Sequence, residues 1–584
     1  MPFDVLCDVL SPRMARRLWT AGYPAVLPLT PLHFYMGAVL PAVLYEMRWG
    51  HRRGSGRFAS VYGKPATVAG VAARLAHLTE ALAVEGGAGQ AILGDLLLAH
   101  CLENRDRSPG QTEPIIRAHP AHYFASWIDL PVGIAHLRGA PELLVAMLAG
   151  QVGGTHLVPD GGGEFPVGVT ANRNAILRLF ADGVEQRDEG TGQSESLTSE
   201  QFIELVDLPI DQLLGARLGL SLEEAPRRLT GDARISNQYP LATRAGREFG
   251  QDLGAFITHY GASVPRQTLT ALLESGMGIG FSATYFATFD ALLKWERAGR
   301  VPDVSDQKPW PLFADCALGL DRQIRLAAED SMGDLVRRLQ RLPVLMMGLQ
   351  ILEAYLEIEW AGTARLPQAA PDPAARLNAF ASALSGPDSR SEEISSLTAE
   401  LHRKCRTLAA ALDGFDFAGL GTSLGDKEIH PVWRLAATVV GMMGRNLQFQ
   451  HYQTLLDACL MVNEPNGIGS RRRVRTSGIS SQARSLVLSN AALDYLVHVH
   501  SLPHPGEPVR PLTLSRFLSI LRDRYGFYVA DPPPGMSIPQ SVVFRNRAVL
   551  ERRLRDMGLL RGVNDAEAMK RLRPRFEVTR IAHD

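Results

Sequence analysis

DLVRRLQRLPVLMMGLQILEAYLEIEW, residues 334–360, carries the pattern on which the fold class turns. Leu335, Leu339, Leu342, Met346, Leu349 and Glu353 step by four and three, so five of six positions are apolar along one stripe of a helix. Pro343 has no N–H to give and its ring crowds the preceding turn, so the same spacing predicts a kink or a division into two helices. Ile394, Leu397, Leu401, Cys405, Leu408 and Leu412 repeat the step. A helix-packed middle domain over residues 241–463 is expected.

On the amino-terminal side, residues 1–240 are broken by glycine-rich stretches such as GQVGGTHLVPDGGGEFPVG (150–168). Between them lie short helical patterns and a strand candidate, EFPVGVT (164–170), so a mixed, mainly helical region is expected there. A length of 584 residues calls for several packed domains. With 46% hydrophobic and 21% charged residues, the composition is that of a folded protein.

The apolar segment HFYMGAVLPAVLYEM (33–47) is shorter than a membrane span and reads as a buried helix, so no membrane contact is expected. Cys7, Cys101, Cys316, Cys405 and Cys459 stand singly, without a CxxC pair, which fits a reducing cytoplasm. The first residues lack the basic-then-apolar order of a signal peptide, so a cytoplasmic location is expected.

On the carboxyl-terminal side the charge changes. Residues 464–584 hold 20 Lys and Arg against 11 Asp and Glu, within a chain whose formal net charge is zero. NAALDYLVHVH (490–500) reads as a helix capped by Asn490, TLSRFLSILRDRYGFYV (513–529) as one capped by Thr513, and DPPPGMSIP (531–539) as a rigid turn. VVFRNRAVLERRLRDMG (542–558) is a third helix closed by Gly558, and LLRGV and RFEVTRI read as strands. That order is the order of a winged-helix unit. The predicted fold class is mainly α: a multidomain helical protein with a few short strands and a carboxyl-terminal winged-helix-like unit.

Two arginine groups in this unit are candidate nucleic-acid contacts. NGIGSRRRVRTSGISSQARS (466–485) places Arg471, Arg472, Arg473 and Arg475, followed by Arg484, in what reads as a flexible basic arm. So close a set repels itself unless an anion is near, and a phosphate backbone rewards such contacts by counterion release. On the third helix Leu550, Leu554 and Met557 share one side, which turns Arg545, Arg552 and Arg555 to the other with Arg553 at the margin. In a winged helix this element enters the major groove. The bland alternative is a solvated charged face or a protein contact.

No catalytic signature survives its context. ESGMGIG (274–280) matches a methyl-donor loop, with Glu274 as its acid, yet the residues before it have helical rather than strand spacing. DPPP (531–534) lacks the aromatic residue of the motif that would follow. GTSLG (421–425) has no clear strand before it, and HRK (402–404) has Ala409 where a nuclease motif needs aspartate. His498, His500 and His504 have no completing ligand set, and YGKP (62–65) no phosphate loop. No cofactor, metal or catalytic residue is expected.

A family resemblance is carried by residues from 430 onward, in HPVWRLAATVVGMMGRNLQFQHYQTLLDACLMVNEPNG, RRRVR, LSNAALDYLVHVH, LRDRYGFYVADPPPGMSIP and RNRAVLERRLRDMGLLRGVNDAEAMKRLRPRF. Over about a quarter of the chain the sequence resembles subunit proteins of bacterial multigene anti-phage islands, particularly the methylation-associated defence system. The resemblance implies an intracellular subunit working beside separately encoded methyltransferases, kinases or ATPases. It assigns chemistry to no residue. The expectation is therefore a non-enzymatic, DNA-binding subunit of a defence complex. The alternatives are a protein scaffold of that complex and an unrecognised nuclease or methyltransferase.

Overall fold

The computed structural model describes residues 2–19, 241–358 apart from 262, 373–385, 392–412, 429–476, 479–502, 511–562 and 570–578, with shorter pieces between 67 and 195. The predicted buried helix at 33–47, the strand at 164–170 and the GTSLG stretch lie outside the described residues. No helix among them is long and apolar enough to cross a membrane.

The protein is mainly α. Helices α1 (Pro2–Leu10) and α2 (Pro12–Leu18) are followed, after a helix at Gly86–His100, by α3 (Thr243–Tyr260) and the 33-residue α4 (Arg266–Ala298). Then come α5 (Arg322–Leu339), α6 (Leu342–Ile358), α7 (Pro373–Ser385), α8 (Glu392–Leu412), α9 (Pro431–Met442) and α10 (Arg445–Cys459). The last three are α11 (Asn490–Ser501), α12 (Leu514–Tyr525) and α13 (Gln540–Asp556).

Pro343 divides the predicted stripe in two. It sits in the first turn of α6, where its missing N–H has no intrahelical partner to lose. Leu335, Leu339, Leu342, Met346 and Leu349 are all buried. Glu353, the one polar member of the stripe, is buried as well and forms an ion pair with Arg376 of α7. The α8 stripe, Ile394 to Leu412, is buried throughout.

Helix α4 is buried along most of its length, carries the charged residues Asp290, Lys294, Glu296 and Arg297 toward its carboxyl end, and packs on α3 and α11. The GMGIG glycines lie within it rather than in a loop. A side chain at Gly276 would collide with the Tyr495 ring of α11, and one at Gly280 with Phe249 of α3. Close helix packing explains these glycines, in keeping with the helical spacing read in the residues before ESGMGIG.

One mixed sheet joins distant parts of the chain. Strand β1 (Leu312–Asp315) is fully buried, β2 (Gly469–Thr476) and β3 (Ile479–Val487) form an antiparallel pair, and β4 (Phe527–Tyr528) follows α12. The order is β2-β3-β1-β4, with β1 parallel to both β3 (Ala314↔Leu486) and β4 (Leu312↔Phe527).

This sheet overturns the flexible arm. Residues 469–476 and 479–487 are paired strands, joined over eight consecutive register positions from Gly469↔Leu486 to Thr476↔Ile479.

The carboxyl-terminal order helix, helix, helix, hairpin is present, but its packing departs from a free-standing winged helix. Helix α11 packs on α3 and α4, and α13 on α5. The closing hairpin is β5 (Leu560–Arg561) with β6 (Arg571–Leu572), so the second strand precedes RFEVTRI instead of lying in it. The cap of α11 is Ser489, whose hydroxyl accepts from Ala492 N at 3.2 Å, one residue before the expected Asn490. Thr513 caps α12 as expected, accepting from Arg516 N, and Gly558 takes φ 72° just past α13.

Candidate nucleic-acid interface

Helix α13 has two faces with different work. On the inner one, Leu550 and Leu554 are fully buried and Asn546 reaches the sheet. Asn546 donates to the carbonyls of Ala314 (2.9 Å) and Val529 (3.2 Å) and accepts from Cys316 N (3.0 Å). Arg553 donates to the carbonyls of Cys316 (2.9 Å) and Leu488 (2.7 Å) and to the Asn490 side chain (2.5 Å). Together they tie the carboxyl ends of β1, β3 and β4. Burial lowers the Arg553 pKa, and the guanidinium is spent on carbonyls. Arg553 is thus an internal rivet, a correction to its place in the groove-facing set: its position at the margin of the helix put it over the strand ends.

The outer face carries Arg545, Arg552 and Arg555, whose side chains are 48%, 83% and 49% exposed, and Phe544, 62% exposed. Arg545 donates to Gln323 and lies 3.7 Å from Asp321, at the start of α5. Arg552 approaches Asp556 at 3.8 Å, a loose surface pair one turn apart, and Arg555 donates at 3.4 Å to the largely buried Glu551, which also holds Lys570 and Arg547. The exposed arginines Arg561 and Arg571 stand directly opposite each other on β5 and β6, so two like charges face across a hairpin beside the end of α13. They were missed in the sequence. The KRLRP run held the signal, but only strand register shows that Arg571 meets Arg561.

The hairpin arginines behave differently. Arg471 and Arg484 are register partners and both hold the Asp457 carboxylate of α10. Arg484 reaches it at 2.5 and 3.0 Å and Arg471 at 2.9 Å. On the other face Arg472 makes a two-point pair with Glu329 of α5 at 3.1 and 3.0 Å, and that hydrogen bonding raises its pKa. The repulsion expected among these arginines is therefore relieved by the protein's own carboxylates. Arg473 is exposed, with no hydrogen bond or ion pair among the described residues, and Arg475 continues β2.

The candidate metal histidines are packing groups. His498 is fully buried between Asp494, 3.2 Å from its Nδ1, and the Phe576 amide, which donates to Nε2 at 3.3 Å. Burial works to raise the Asp494 pKa, but hydrogen bonds from His498 and Arg575 bring it below the ordinary range. His500 meets the Tyr525 hydroxyl at 2.8 Å, and that hydroxyl donates to Asp252 at 2.6 Å. His504 lies outside the described residues, among which no group of His, Cys, Asp and Glu could hold a metal ion.

These features define a mainly helical protein whose small mixed sheet supports a one-sided, arginine-bearing surface. The chain belongs to the family of methylation-associated defense system protein MAD7, whose family model matches residues 170–576. The resemblance carried by the carboxyl-terminal quarter thus extends over most of the chain. Neither a curated protein nor a solved structure matches it at a significant level.

Proposed function

We propose that the protein is a non-catalytic, nucleic-acid-binding subunit of a methylation-associated defence system. The observation that carries this reading is the outer face of α13, where Arg545, Arg552 and Arg555 are exposed along the helix with Phe544 near its start, on a helix whose inner face is fixed to the sheet. Arginines on a rigid helix suit phosphate oxygens and guanine edges, and an exposed aromatic ring suits stacking on a base. Arg561 and Arg571 extend the surface. Arg471, Arg472 and Arg484 hold Asp457 and Glu329 at 2.9, 3.0 and 2.5 Å, closer than the carboxylate pairs of Arg545, Arg552 and Arg555 at 3.7, 3.8 and 3.4 Å, and are left out of the contact.

The test is fluorescence anisotropy of the full chain with a labelled random duplex at two salt concentrations. Affinity should fall steeply with salt. Replacing Arg545, Arg552 and Arg555 by alanine should weaken binding to all sequences and reduce the slope against log salt by about 2 to 3. An unchanged slope removes the assignment.

A protein-only scaffold is the competing reading, favoured by the internal pairing of Arg471, Arg472 and Arg484. Absence of duplex binding at low salt decides for it.

A further inference from the structure

Strand β2 is the edge of the sheet, and its backbone alternates. The side-chain amide of Asn463, a residue held at φ 63°, accepts from Arg471 N at 3.0 Å and donates to Arg471 O at 3.4 Å. The Asn463 backbone N–H donates to Gly469 O at 3.0 Å. Gly469 and Arg471 therefore point their peptide groups away from β3, and the antiparallel alternation gives Arg473 and Arg475 the same outward direction. Asn463 stands in for the peptide group of a missing neighbour at the first two outward positions. At the next two, no strand among the described residues lies on the outer side of β2.

We propose that this edge docks an extended acidic segment of a partner protein, which adds to the sheet as a further strand beside β2. Strand addition supplies the main-chain hydrogen bonds that an edge leaves open. The charge of the segment follows from its neighbours: residues 469–487 contain five arginines and no carboxylate. Arg471 and Arg484 share Asp457 and Arg472 pairs with Glu329, whereas exposed Arg473 has no such carboxylate among the described residues. A glutamate or aspartate directly opposite Arg473 in an added strand would complete the pattern set by Asp457 and Glu329. A nucleic acid could use the arginine side chains and, through its phosphate oxygens, single backbone N–H groups, but its backbone does not repeat the alternating N–H and C=O that a strand edge presents. The edge shares no residue with the outer face of α13, so this proposal stands independently of nucleic-acid binding.

The experiment uses the full chain and a fluorescein-labelled peptide of alternating glutamate and valine, about eight residues long, the length of an ordinary strand. A second peptide is the same sequence N-methylated throughout, which keeps the charge and removes every N–H. Anisotropy should show binding of the first peptide, weakened about tenfold or more by N-methylation and by Arg473→Glu. Equal binding of both peptides would reduce the contact to charge alone and overturn strand addition, and so would no binding of the first. The N-methylated comparison needs no protein variant, so it remains decisive if Arg473→Glu misfolds. Duplex DNA binding is measured on the same samples, so the two proposals fail separately.

Discussion

Arg484 and Asp457 meet through two hydrogen bonds of 2.5 and 3.0 Å, and this pair fastens the basic hairpin to α10. Arg484 is 6% exposed and Asp457 12%, so neither is well solvated if the other is removed. Asp457→Asn should destabilise the protein by about 3 kcal/mol, the cost of leaving a largely buried charge without its partner. Arg471→Ala, at the 42% exposed end of the same cluster, should cost about 0.5 to 1 kcal/mol. Urea unfolding of the two variants checks the contrast.

Arg552 and Arg553 are neighbours in sequence with opposite situations. Arg552→Ala should leave stability within about 0.5 kcal/mol of the wild type. Arg553→Ala strips donors from the carbonyls of Cys316 and Leu488 and should cost about 2 to 3 kcal/mol. Thermal melts of the pair would reverse the assignment of the two faces if Arg552→Ala were the damaging one.

Asn546→Leu keeps the volume but loses all three hydrogen bonds to the strand ends. A loss of about 3 kcal/mol is expected from the buried groups left unpaired. Hydrogen exchange at the Cys316 amide, which donates to Asn546, should rise in parallel.

His430 caps α9 by accepting from Val432 N at 3.4 Å through Nδ1, which requires that nitrogen to be unprotonated. Burial first, then the charges of His402 and Arg434, push its pKa down from 6.5 to about 4. A folded pKa below the unfolded one means that the unfolded chain takes up a proton first as pH falls. Stability from this site is complete above pH 6.5 and lost progressively toward pH 4, by up to about 3 kcal/mol. Urea titrations at pH 7 and 4.5 should show this loss reduced in His430→Asn, which keeps a capping oxygen. An equal loss in both proteins counts against His430 as the source.

Gly280→Ala places a methyl group against the Phe249 ring inside the α3–α4 contact. Overpacking there should cost about 1 to 3 kcal/mol. Circular dichroism on heating would show a lowered midpoint. A variant as stable as the wild type would mean that the packing reading of the glycine run is incomplete.

The periodic apolar stripes at 335–353 and 394–412 determined helices, the division at Pro343 and the mainly α class, because an amphipathic helix is specified by neighbours three and four residues apart. Local signals likewise determined the Thr513 cap, the Gly558 stop and the segregation of positive charge toward the carboxyl terminus. Only the tertiary structure decided that the basic stretch is a hairpin, since its strand partner β1 lies more than a hundred residues earlier and β1 alone is four residues long. It also decided which arginines are available. Arg472 meets Glu329 across 143 positions and Arg553 meets Cys316 across 237, distances at which sequence shows a charge but not its partner. Charge composition is local, whereas charge compensation depends on which surfaces the packed core brings together.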